Sequence, residues 1–150
     1  MGLFFVIFSM KHYLKIFAFI LALSNITAQE SQTTLAILDF EGRGINSLEA
    51  ATLTDRFTSE IGKTETMTLV DRTMVEEILK EQGFQQTGCT TDECAVEVGA
   101  MLGVQFMISG AIGKLGDTFT IDAKMVSVES GASVETRNVT YIGKVDGLVT

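Results

Sequence analysis

Proline and tryptophan are absent from this 150-residue chain, and histidine occurs once, at position 12. That histidine falls within the leader described below, so beyond it no Ser–His or Cys–His pair is left to activate a nucleophile, and the commonest covalent hydrolases are excluded. Two cysteines alone fill only half of a tetrahedral zinc shell, which argues against a metal centre. Basic residues are also scarce, 11 against 19 acidic ones, for a formal charge of −8. Nucleic acid and anionic membrane surfaces are thereby poor partners, because both are gripped by clustered Lys and Arg. Glycine is plentiful, yet Gly110-Ala111-Ile112-Gly113-Lys114 lacks the spacing of a phosphate loop and runs into Leu115. No Gly-x-Gly-x-x-Gly is present, so the sequence implies no cofactor.

Long apolar runs are confined to the first 28 residues. Met10 to Lys15 is short and basic, Ile16 to Leu23 is apolar, and Ser24 to Ala28 is more polar and ends in a small residue. That order describes a secretion signal, residues 1–28, with Met10 as the expected start. The apolar run falls short of the ~20 residues a bilayer span needs, and no cysteine follows to carry a lipid. An uncleaved anchor is the alternative. Beyond residue 28 the chain holds nine basic and nineteen acidic residues, a formal charge of −10. It is expected to be exported, and either soluble or held to a membrane only through partners, with no membrane insertion of its own.

Residues 29–34 are polar and predict a flexible lead-in, followed by one domain over 35–143. Leu35 to Phe40 reads as a buried strand broken by Gly42 and Gly44. Asn46 and Glu49 form a capping-box start for a helix carrying Ala50, Leu53, Phe57 and Ile61 on one side, closed by Gly62. Met67 to Val70 predicts a short strand. Thr73 and Glu76 suggest a second capping box, with Val75, Ile78 and Leu79 inward and Gly83 as the stop. Thr91 caps a third helix, with Asp92 and Glu93 in its first turn and Ala95, Val98 and Leu102 inward. From Val104 the apolar period drops to two, predicting a meander of three strands with turns at 115–118 and 130–131. The order β-α-β-α-α-β-β-β predicts an α/β (α+β) fold with a mixed sheet of about five strands and helices mainly on one face. Residues 144–150 suit the first turn of a further segment.

In an exported chain, Cys89 and Cys94 are best read as a disulfide closing onto the third helix. A redox pair is the rival reading, because a helix N-terminus lowers a thiol pKa, but no helper base accompanies it. Carboxylates such as Asp39, Glu41, Asp55, Asp71 and Glu76 could meet in space, although Glu76, Glu77 and Glu81 read as a solvated helix face. Asp71-Arg72 suits an internal ion pair or a partner contact, and Asn138-Val139-Thr140 is a sequon lying mid-strand.

Residues 35–42, Leu53 to Phe57, Leu69 to Arg72 and Ile78 to Phe84, then Gly88-Cys89, Glu93 to Ala95, Gly99, Leu102-Gly103, Ile108 to Gly110 and Lys114 to Asp117, together resemble the periplasmic domain of CsgG-type curli assembly proteins. Related envelope proteins are the LpoB-type activators of penicillin-binding proteins and the N-terminal domain of TolB. The resemblance implies a non-enzymatic periplasmic module, associated with the outer membrane through partners, that binds other envelope proteins, of curli-type secretion or of cell-wall synthesis, or that forms a homo-oligomer. It also brings in a secretion-pore subunit as an alternative, though this chain lacks both a lipidation cysteine and long membrane hairpins. The candidate contact surfaces are the sheet edges and the loops at 41–46 and 71–73, with Glu41, Arg43, Asp71 and Arg72 as the residues of interest.

Overall fold

The computed structural model describes residues 32–83, 89 and 91–148. The leader of residues 1–28, its start at Met10 and residues 29–31 of the lead-in lie outside the described residues. Six strands and three helices follow: β1 (Thr34–Ile37), β2 (Glu41–Arg43), α1 (Ser47–Lys63), β3 (Thr68–Leu69), α2 (Arg72–Glu81), α3 (Asp92–Leu102), β4 (Phe106–Leu115), β5 (Thr118–Ser127) and β6 (Ser133–Ile142). A 3-10 turn, Val145–Leu148, ends the described chain in place of the first turn expected there.

The sheet order is β3-β1-β4-β5-β6, with β2 also on β4. β1 runs parallel to β3 and β4, pairing Leu35 with Leu69 and with Phe106. β2 continues parallel beside β4, pairing Glu41 with Ala111 and Arg43 with Gly113. The stretch around Gly42 and Gly44, read from sequence as a break, is thus a sixth strand followed by its turn. Gly44 is required there, since its φ is +81° and a Cβ would stand 2.6 Å from the Lys114 carbonyl oxygen. β4, β5 and β6 form the predicted antiparallel meander.

Alternation along β1 and β4 sends side chains to two cores. Ala36, Leu38 and Met107 meet Val75 and Leu79 of α2 and Ala95 and Val98 of α3 on one face. Leu35, Ile37, Ile108 and Ile112 meet Leu53, Phe57 and Ile61 of α1 on the other. Two helices therefore share one face, as the element order predicts, and α1 covers the opposite one. Gly99 lets α3 approach β4, because a Cβ there would lie 2.5 Å from Val128 Cγ2 and 2.7 Å from Met107 Cγ.

The capping box at Asn46 forms in full, with Glu49 N–H donating to Asn46 Oδ1 and Asn46 N–H donating to Glu49 Oε2. The second one does not. Asp71 is the N-cap of α2, accepting from Thr73 N–H at 2.8 Å, and Glu76 is engaged elsewhere. Thr91 caps α3, and Gly103 ends it at φ +68°.

Candidate binding surface

Arg72 opens α2 at the C-terminal end of the parallel strands. Its guanidinium contacts Asp39 Oδ1 at 2.7 Å, Glu76 Oε1 at 2.9 Å and the Asp55 carboxylate. One cation therefore ties the end of β1 to α1 and α2. Three acids surround one base, and Asp39 is half-buried, so burial pushes its carboxyl above the ordinary range; Arg72 pulls it down and Glu76 raises it again. Asp71 is shifted the other way, as the hydroxyl of Thr73, and then its N–H, hold the carboxyl below the usual value. Both residues of the Asp71-Arg72 pair are thus occupied in holding α2, and Glu76 belongs to the clamp instead of to a solvated face.

Glu41 and Arg43 are placed differently. They lie two residues apart on β2 and pair with each other at 2.7 Å in the open. The hydrogen bond from Arg43 lowers the Glu41 pKa. Across the sheet, Glu41 aligns with Ala111, Asp122 and Asn138, and Arg43 with Gly113, Thr120 and Thr140. Ser109, Lys124 and Thr136 form a further row. Lys124 reaches Asp92 at the start of α3 at 3.0 Å, and the Asn138 amide donates to Asp122. The result is a shallow polar depression of about 180 Å³, floored by Ser109, Gly110 and Ala111 and rimmed by Glu41, Arg43, Asp92, Asp122 and Lys124. Sequence reasoning singled out Glu41 and Arg43 but missed Asp92, Asp122 and Lys124, because only strand register brings them together.

On the opposite face, an apolar groove of about 320 Å³ lies between α1 and the sheet, lined by Phe40, Leu53, Phe57, Ile112, Ile121 and Leu148. Phe40 and Phe57 rings stand 5.1 Å apart within it. Next to Leu148, a Cβ on Gly147 would lie 1.8 Å from the Tyr141 hydroxyl, so a larger residue there would displace that ring.

Cys89 and Cys94 are joined by a disulfide, with Cα atoms 5.4 Å apart. Cys89 is buried among Val75, Leu79 and Ala95 and Cys94 is partly buried against them, a setting that favours a structural role. Among the described residues no cluster of His, Cys, Asp and Glu could hold a metal ion, and no helix is long and apolar enough to cross a membrane.

The sequence model of the peptidoglycan-synthase activator LpoB family matches residues 17–135. No curated protein matches. Among solved structures, the LpoB C-terminal domain from Salmonella enterica is similar at TM-score 0.63 and 15% identity, over 79% of this chain and 87% of that one. Lipoprotein GNA1162 from Neisseria meningitidis is similar at TM-score 0.63 and 12% identity, over 75% and 82%. A PelC dodecamer from Paraburkholderia phytofirmans gives TM-score 0.53 and 12% identity, over 79% and 77%. At such identities these likenesses establish the fold alone. The sequence match supports the LpoB-type activators named with the resemblance and gives no support to the curli assembly family that led it.

Proposed function

This chain belongs to the peptidoglycan-synthase activator LpoB family, and from that premise we propose that it is a non-enzymatic envelope protein that binds a penicillin-binding protein and raises its glycan-polymerising rate. The family match over residues 17–135 carries this reading. The periplasmic location follows from the leader-like order of residues 1–28 and from the partner's own place of work. Activation by binding needs a surface, and the depression rimmed by Glu41, Arg43, Asp92, Asp122 and Lys124 is the one this reading assigns. Its groups suit a polar partner: charges of both signs fix register and orientation, and exposed pairs tune encounter more than affinity. Arg72 and Asp71 hold the start of α2 in place, Arg72 through its three carboxylates and Asp71 as the helix cap.

The test is polymerisation of lipid-linked precursor by a purified bifunctional penicillin-binding protein of the same organism, with and without this chain. A rise in rate that Arg43→Glu weakens, with the melting temperature unchanged, supports the proposal. No change in rate, together with no co-purification of a synthase from envelope extract, removes it. A rate rise indifferent to Arg43→Glu keeps the activity and moves the surface elsewhere.

A further inference from the structure

β6 is the outermost strand of the sheet, and its far edge pairs with nothing among the described residues. Ten residues long, it is exposed at every position except Tyr141. An edge of this length presents unpaired N–H and C=O groups to any extended segment, and proteins usually blunt such edges with proline, lysine or bulges. β6 contains neither proline nor lysine, and its bulge at Val134 leaves Glu135 to Ile142 as a regular edge.

What it does contain is a self-complementary charge pattern, and we propose that β6 pairs with β6 of a second copy, antiparallel and two-fold about Thr136. The register follows from face parity. A two-fold axis perpendicular to the sheet keeps each side chain on its own face, so directly opposed residues must be an even number of positions apart. Centred on Thr136, the pairing sets Glu135 against Arg137 of the second copy, and Arg137 against Glu135, on one face. Centred one residue earlier it opposes Glu135 to Glu135, and one later it opposes Arg137 to Arg137. Of these three registers only the first satisfies both charges. Glu135 and Arg137 already lie on one face, 3.1 Å apart and mostly exposed, ready to interleave with a second pair. Val134 lies in the bulge, so the regular core of this pairing is Glu135, Thr136 and Arg137 of each copy, with no large side chain opposed to another. The ten-stranded path so formed, five strands from each copy, is isologous and closed, which limits assembly to a dimer.

This inference does not depend on the synthase reading, and its test needs no synthase. The full chain is followed by sedimentation across a range of concentrations, alongside Glu135→Arg, Arg137→Glu and the double exchange. Each single reversal opposes like charges twice and should weaken dimerisation on the order of tenfold. The double exchange restores opposite charges in the same register and should restore the wild-type constant. Thr136→Cys should cross-link two copies, since opposed Cβ atoms in such a pair stand about 5 Å apart. A chain that stays monomeric at every concentration, or a dimer that the single reversals do not weaken or the exchange does not rescue, overturns the proposal. So does a Thr136→Cys variant that cross-links in envelope extract only to a different protein, which would make the edge a docking strand for that partner.

Discussion

The two halves of the sheet are built differently. β1, β3 and the first half of β4 run parallel with helices over them, and Ala36, Ala95, Val98 and Met107 there are wholly buried. The β5–β6 hairpin is antiparallel and carries polar groups on both faces, and its outer strand gives almost nothing to a core. Parallel strands require crossover helices, which cover them, whereas a hairpin needs only its turn and can stand out in water. Stability is therefore concentrated in the first half and along the inner strand of the hairpin, where Phe119 and Val126 are buried, and β6 is free to carry surface. The sharpest way to break this contrast is Met107→Ala. That side chain fills the space between β4 and α3 against Val126 and Gly99. Its removal should cost about 2–5 kcal/mol in urea unfolding; a loss below about 1 kcal/mol would mean the helix-covered half is not where stability resides.

A smaller effect should come from the seam between α1 and the end of β1. Thr54 is buried, its hydroxyl donates to the Ala50 carbonyl at 2.9 Å, and it accepts from Phe40 N–H at 3.1 Å. Thr54→Val keeps the shape and orphans a buried N–H, which should cost about 1–3 kcal/mol. Thr54→Ser, retaining the hydroxyl, should recover most of that. If the two variants unfold alike, the Phe40 bond does not hold the seam. Native-state hydrogen exchange at Phe40 reads the same bond directly.

Most of this architecture was legible because its signals are local. The Asn46 box, the αL glycine at 103 and the period-two run from Val104 each declare an element within a few residues. β2 was not legible, because three residues containing a glycine have no period to read and are a strand only by lying beside β4. Asp71 displaced Thr73 as the cap because both precede the apolar face and only backbone geometry decides between them. Arg72 showed its charge in the sequence but not its three partners, which come from positions 39, 55 and 76. The polar depression is the extreme case. Glu41, Asp122 and Asn138 share a row through strand register alone, and nothing in their spacing along the chain announces it.

The smallest expected effect lies on β6. Val139 sits opposite Ile121 in the hairpin and is 55% exposed, so its apolar surface is only partly withdrawn from water. Val139→Thr keeps the β-branched shape that a strand favours and places a hydroxyl where water already reaches it. The change in unfolding free energy should stay within about 0.5 kcal/mol, several-fold less than for Met107→Ala although both residues are strand hydrophobics. The comparison should be made on dilute protein, where association of copies along β6 contributes nothing. A loss at Val139 approaching that at Met107 would place the hairpin inside the cooperative core, and its outer strand would then be too costly to vary for it to serve as free surface.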